Sequence, residues 1–272
     1  MTGLDFLYGT VPGRALLRPL TGRALSRAAG KLLDTSASRA LIPLFVLRAG
    51  IDTEEYDLSG VRSFNDFFRR PLKPGRRQID MDPSALIAPC DGLLTAVPIT
   101  RDTVLSVKQS RWSVTRLLND PELARGFEGG VCLIFRLCVD NFHRYAWFDS
   151  GMKGRNVFLP GKLHTVRPVA LEREPVFTEN CREYAVIESE HFGRAVQAEI
   201  GAMLVGRIVN REPGPGAVRR GEEKGCFEYG GSTVLLLLGS GAAVIREDIL
   251  CASEEGRETP VRLGERIGSA RK

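Results

Sequence analysis

The sequence predicts an α+β fold, a mostly antiparallel β core with its helices gathered at the N-terminal side. Three observations carry this expectation. Helical periodicity is concentrated before Pro71. From Leu86 onward the texture changes to short β-type runs separated by Gly, Pro and Asp, with no helices alternating between them. One run, 234–238, is wholly apolar and bounded by glycine, which reads as a strand buried on both faces.

Taken in order, the first element is an amphipathic helix over 21–33. At 100° per residue Arg23, Arg27 and Lys31 share one narrow face, while Ala24, Leu25, Ala28, Ala29, Leu32 and Leu33 cover the opposite side. The chain enters it after Pro19, with Thr21 as the expected cap. The apolar run 41–47 contains Pro43 and is too short to cross a bilayer, so it either dips into lipid or caps the core. Ser63 to Asp66 fits a helix start, with Phe64, Phe67 and Phe68 on the buried side and Pro71 ending the segment. The expected strands are 93–97, 104–107, 131–139, 145–148, 156–159, 184–187, 195–209 and 234–238, interrupted by one helical patch at 112–118. Pro213-Gly214-Pro215-Gly216 reads as a surface turn, and Gly239-Ser240-Gly241 as a hairpin turn. The chain is expected to divide into a basic amphipathic segment, 1–50, and a single catalytic domain, 51–272.

Composition narrows the function classes. A chain of 272 residues with 43% hydrophobic and 26% charged residues is ordinary for a soluble globular protein. Six cysteines without a C-x-x-C pair argue for reduced, buried thiols in a cytosolic setting, against a zinc site and against a disulfide framework. With three histidines, no metal site is expected. The net charge of +5 resides entirely in residues 1–50, and the rest of the chain is neutral. No aromatic residues interleave those basic ones, so nucleic-acid binding is not expected. Residues 1–8 lack the order of a secretory signal. A basic amphipathic helix beside apolar runs suits either an ordinary surface helix or one lying in the interface of an anionic leaflet.

The chemistry centres on Gly230-Gly231-Ser232-Thr233, just before the apolar strand. Alone, such a sequence is more often a bulge or corner than a site. Its company changes the reading. The segment from Arg220 through Lys224-Gly225-Cys226-Phe227-Glu228-Tyr229-Gly230-Gly231-Ser232-Thr233 resembles the self-cleavage region of phosphatidylserine decarboxylases. Three more stretches match in order: Ser63-Phe64-Asn65-Asp66-Phe67-Phe68-Arg69-Arg70-Pro71-Leu72-Lys73-Pro74-Gly75, Ala88-Pro89-Cys90-Asp91-Gly92, and Asn141-Phe142-His143-Arg144-Tyr145. The resemblance spans about residues 60–245.

It implies an enzyme that cuts itself between Gly231 and Ser232 and converts Ser232 into a pyruvoyl group, its only cofactor. The product is a heterodimer of a large and a small chain, acting on phosphatidylserine at the cytoplasmic side of the membrane. Decarboxylation of an α-amino acid leaves a carbanion, which an electron-poor carbonyl joined to the substrate nitrogen can delocalise. Making that carbonyl needs a base beside a weak nucleophile, and an acid that orients the base. Asp91 resembles the orienting aspartate, although an Asp-Gly pair closing a turn is its plainer reading. Many family members read His-Arg-x-His; here Ala146 replaces the second histidine. The expectation is therefore that His164 serves self-cleavage and His143 serves substrate binding or protonation, with the exchanged assignment as the alternative. His191 reads as a turn residue. Two rivals remain: a serine hydrolase built on Ser232, a histidine and Asp91, though without a Gly-x-Ser-x-Gly elbow, and a non-catalytic lipid-binding relative.

Overall fold

The computed structural model describes residues 3–101, 104–107, 110–165, 170, 174–202, 207–228 and 232–271. Helices α1 (Gly3–Gly9), α2 (Val11–Leu20), α3 (Arg23–Leu33), α4 (Ile42–Ala49) and α5 (Phe64–Phe68) precede every strand. Thr21 does not cap α3, as expected, but closes α2. Its backbone N–H and its hydroxyl both return to the Leu17 carbonyl, at 2.9 and 3.1 Å, and α3 starts from Gly22 without a side-chain cap. In α4 the capping role is seen on one side only. Ile42, Phe45 and Val46 pack on Ile51, Tyr56 and Phe67, whereas Leu41 just before it and its Leu44 and Leu47 stay exposed. Ser63 caps α5 by accepting from the Asp66 N–H at 3.1 Å, and Phe64, Phe67 and Phe68 are buried.

The strands follow as β1 (Ala85–Ile87), β2 (Gly92–Pro98), β3 (Val104–Val107), β4 (Ser110–Ser113), β5 (Val131–Leu137), β6 (Arg144–Ala146), β7 (Gly151–Lys153) and β8 (Val157–Leu159). After them come β9 (Arg182–Ser189), β10 (Gly193–Ile200), β11 (Ile208–Asn210), β12 (Gly216–Val218), β13 (Glu223–Phe227), β14 (Ser232–Leu238), β15 (Ala243–Ile245), β16 (Thr259–Val261) and β17 (Arg266–Ala270). Helices α6 (Val114–Leu118), α7 (Pro121–Arg125), α8 (Val176–Glu179) and α9 (Glu247–Glu254) are interspersed. The helical patch expected from residue 112 starts later because Trp112 belongs to β4 and Ser113 caps α6.

The main sheet runs β12-β7-β9-β10-β14-β5-β2-β16, with β8 also beside β9, and its pairings are antiparallel. β14 lies in the middle, every residue fully buried, as its apolar run predicted. Burying each of its aliphatic side chains is worth about 1.5–3 kcal/mol, which makes this strand the anchor of the molecule. Alternation sends Leu235 and Leu237 to one face, under Tyr8, Leu17, Leu117 and Phe177. We call this the helix face. Val234, Leu236 and Leu238 go to the other, packed with Leu86, Phe135, Tyr145, Phe227, Ile249 and Ile267. Here two small sheets, β1-β17-β15 and β11-β13-β6, close the core.

Two expectations are corrected. The run 195–209 is not one strand: β10 ends at Ile200 and β11 joins β13 in a different sheet, while 203–206 lie outside the described residues. The Gly239-Ser240-Gly241 turn is real, with Gly241 at φ +73°, but it makes a corner rather than a hairpin. β15, which follows it, pairs β17 and not β14.

Candidate active site

Ser232 opens β14 opposite Leu137 of β5. It alternates with Val234 and Leu236, so its side chain belongs to the face opposite the helix face, the one closed by the two small sheets. It is fully buried, and its Oγ has no hydrogen-bond partner among the described residues. An unmade hydrogen bond on a buried hydroxyl costs about 1–3 kcal/mol, so this group is a poor choice for stability alone. Tyr229, Gly230 and Gly231 lie outside the described residues.

Asp91 stands one residue before β2, whose Leu93 pairs Arg136 of β5. A Cβ on Gly92 would sit 2.9 Å from the Arg136 carbonyl, so the Asp-Gly pair serves close approach of two strands here. Gly92 and Ser232 thus flank Leu137 from either side, about 10 Å apart at ordinary strand spacing. The Asp91 carboxylate is nearly buried. It accepts from Arg77 Nε at 3.0 Å and Nη2 at 2.6 Å, and from the Leu263 N–H at 2.8 Å. No described histidine hydrogen-bonds to it. Arg77 also reaches Glu55 at 3.1 Å.

His143 is wholly buried, with its ring centroid 4.0 Å from that of Phe68. Its Nδ1 lies 2.9 Å from the Asn141 carbonyl, which can only accept, so Nδ1 carries the proton and Nε2 keeps its lone pair. That Nε2 is buried and has no partner among the described residues. Burial first, and the positive charge of Arg70 after it, push the imidazole down to about 3, so the ring is neutral at any ordinary pH. The His143 carbonyl accepts from the Phe227 N–H at 2.9 Å, which fixes the residue beside the chain leading to Ser232. Arg70, also fully buried, donates to the carbonyls of Asp140 and Asn141 and covers the Tyr56 ring at 4.2 Å. Arg70 feels the field of Asp91, and Cys90 feels those of Asp91 and Glu199.

His164 is near the same end of β10, because the Asn180 side chain that holds its backbone also donates to the Gly201 carbonyl at 2.7 Å, but its ring turns to the other face. Its Nδ1 meets the Tyr8 hydroxyl at 3.3 Å, and its backbone is held at both N–H and carbonyl by the Asn180 side chain. Tyr8 and the neighbouring Val176 and Phe177 belong to the helix face, across the sheet from the side chain of Ser232. Burial lowers the affinity of His164 for protons. Its ligand atom and those of Glu174 and Glu179 fall within 4.8 Å of one another, but Lys162 already pairs Glu179 at 2.9 Å. His191 binds Asp149, which is also clasped by Arg220 at 2.7 Å, in an ion cluster far along the strands from Ser232. Ser232 thus lies on the face closed by the small sheets, and the His143 carbonyl is tied to β13 of that same face, whereas the His164 ring packs on Tyr8 of the helix face.

Sequence reasoning missed Glu199 and Lys224. Glu199 of β10 pairs Val234, and it is fully buried. One of its oxygens takes the Lys224 ammonium and the Asn210 amide at 3.2 Å, while Oε1 has no partner among the described residues. Lys224 packs 5.1 Å from the Trp147 ring. The only available signal was a charged residue in an apolar β run, which also describes a strand facing solvent. Beside β13 a cleft of about 450 Å³ is lined in part by Arg69, Arg144, Arg211, Glu223 and Cys226. A weak nucleophile, a neutral imidazole with a lone pair and two buried carboxylates can together move protons at the head of β14.

Comparison with known proteins agrees with the resemblance in the motifs. Residues 64–269 match the family described as phosphatidylserine decarboxylase. The chain is 40% identical over 266 residues to phosphatidylserine decarboxylase proenzyme 2 of Clostridium acetobutylicum, covering 97% of this chain and 91% of that one. It is 38% identical to the phosphatidylserine decarboxylase proenzyme of Ruminiclostridium cellulolyticum, covering 98% and 90%. Identity to the proenzyme of that name from Desulfitobacterium hafniense is also 38%, covering 97% and 91%.

Proposed function

Because this chain belongs to the phosphatidylserine decarboxylase family, we propose that it converts phosphatidylserine to phosphatidylethanolamine after cutting itself between Gly231 and Ser232. The observation that carries the reading is the Ser232 hydroxyl, buried and without a partner among the described residues at the head of a central strand. Such a residue fits a side chain held for conversion rather than for cohesion. A pyruvoyl group at this position would supply an electron-poor carbonyl through which the carbanion left by decarboxylation is delocalised.

The chain's own residues perform the conversion. Ser232 Oγ attacks the Gly231 carbonyl carbon, its proton passes through a base to the amide nitrogen, and that nitrogen leaves as an amine to give an ester. Loss of the residue-232 α-proton then expels the Gly231 carboxylate. The dehydroalanine end isomerises, and water releases ammonia, leaving the pyruvoyl end. His143, neutral and with Nε2 unprotonated, is suited to accept the hydroxyl proton. The negative charge of Asp91 would steady the imidazolium that results. The expectation from sequence gave this step to His164, but its placement on the helix face supports the exchanged assignment. After cleavage His143 lies beside the new end of the small chain, where it would meet the substrate. The cleft beside β13, lined by Arg69, Arg144 and Arg211 and by Asp57, Asp66 and Glu223, suits a head group that carries charges of both signs.

At the membrane, the basic N-terminal segment and the exposed Leu16, Leu25, Leu32, Leu41, Leu44 and Leu47 suit peripheral attachment to an anionic leaflet on the cytoplasmic side. Among the described residues no helix is long and apolar enough to cross a membrane. The test is release of carbon dioxide from phosphatidylserine vesicles by the purified protein and its Ser232→Ala variant. Activity in both would sink the reading.

A further inference from the structure

Self-cleavage requires two different protons to be removed, at different times and from different atoms. The hydroxyl proton leaves when the ester forms and ends on the departing nitrogen. The α-proton of residue 232 leaves later, when the ester is expelled, and by then Oγ is part of the leaving group. The base for that second removal has to reach the backbone carbon at the head of β14.

Glu199 lies where such a base is needed. It pairs Val234, and Ser232 is two residues before Val234 on the same face. Positions related in this way on adjacent antiparallel strands are about 7–8 Å apart, within reach of a long side chain. Only a glycine, Gly201, continues β10 past Ile200 toward the level of Ser232, so no side chain of that strand intervenes. The carboxylate is held rather than free. Lys224 and Asn210 both bind Oε2, and Asn210 is in turn held by the Tyr145 hydroxyl at 3.1 Å. Oε1 is buried without a partner among the described residues, as is Ser232 Oγ. A buried ion pair with one oxygen left unmade is costly and is weak evidence of a stabilising role. Burial also raises the proton affinity of Glu199, partly offset by Lys224, which makes it a stronger base than a surface carboxylate.

We propose that Glu199, positioned by Lys224, is the catalytic base that takes the α-proton of residue 232 and so expels the Gly231 carboxylate from the ester. The carbon–hydrogen electron pair becomes the Cα–Cβ double bond of dehydroalanine, the Cβ–Oγ bond breaks, and Oγ departs with Gly231 as its carboxylate. The proton rests on Glu199. No oxidant or further reactant is involved. The inference rests on the self-cleaving reading above and adds to it a residue and a step.

The two steps are separable by hydroxylamine, which cuts esters but leaves amides intact at neutral pH. Full-length Glu199→Gln precursor should slow in its second step by about 10²–10⁴-fold. It should then accumulate as an ester that hydroxylamine splits, yielding a small chain that still begins with serine instead of a pyruvoyl end. The double variant Glu199→Gln/Lys224→Met removes both charges together and so avoids a buried unpaired lysine. It should behave in the same way. His143→Gln precursor, stopped earlier, should resist hydroxylamine. If the single and double variants both form the pyruvoyl end at the wild-type rate, or both stay whole and resistant to hydroxylamine, the proposal is overturned. Wild-type chain that yields a pyruvoyl end at Ser232 upholds the self-cleaving reading in either case.

Discussion

Replacing His143 by glutamine removes the Nε2 lone pair while keeping a side chain able to fill the space beside Phe68. Because the imidazole is held neutral, with its proton on Nδ1 toward Asn141, its Nε2 lone pair is open throughout the ordinary pH range, while burial makes it a weak base. Its loss should cost about 10²–10⁴ in rate, or roughly 3–5.5 kcal/mol of barrier. Alanine would be a poorer probe, since emptying a buried site adds a folding cost of its own. His164→Gln alters the helix face, where the ring touches Tyr8, and should cut at close to the wild-type rate. The assay is a time course of freshly synthesised precursor on a denaturing gel, with the melting temperature of each chain as a check on folding. A normally cut His143→Gln beside an uncut, well-folded His164→Gln would refute the argument from sheet faces.

Acid should destabilise the fold through the same histidine. The buried ring stays neutral down to about pH 3 while the unfolded chain takes up a proton below about pH 6.5. Between those values stability should fall by about 1.4 kcal/mol per pH unit, and denaturant midpoints of wild type and His143→Gln should converge as pH drops; parallel curves would contradict this. Asp91→Asn should remain uncut and lose on the order of 3 kcal/mol of stability, because it leaves the buried Arg77 to Glu55 alone. An unchanged thermal melt would show that the Arg77 pair carries little. A variant with Arg23, Arg27 and Lys31 all changed to Gln should bind anionic vesicles roughly 100-fold more weakly, at about 1 kcal/mol per charge, yet still cut itself. Undiminished sedimentation with vesicles would place the attachment elsewhere.

What the sequence revealed and what it hid follow from the range of the interactions involved. The 234–238 run was legible because five consecutive aliphatic residues can only be buried, and the Ser63 cap because its hydrogen bond spans three residues. Thr21 was misplaced because two helices compete for one residue, and the carbonyl that wins, that of Leu17, belongs to the earlier one. The corner at Gly239-Ser240-Gly241 looked like a hairpin because the partner of the next strand, β17, lies more than twenty residues downstream. Within the site, Ser232, Asp91 and His143 were found through ordered motifs. The side of the sheet on which each histidine lies was not, since it depends on which strands pair and in what register. Glu199 was invisible for the same reason: its lysine is 25 residues away in sequence and on a different sheet.

The central claim is the conversion of Ser232, and a denaturing intact-mass spectrum of the purified wild-type protein tests it most directly. The account predicts two chains, one of 231 residues ending at Gly231 and one of 41 residues beginning with a pyruvoyl group in place of Ser232, with Ser232→Ala remaining whole. A single wild-type chain of 272 residues, or a small fragment of 33 residues from a cut before Ser240, would contradict it.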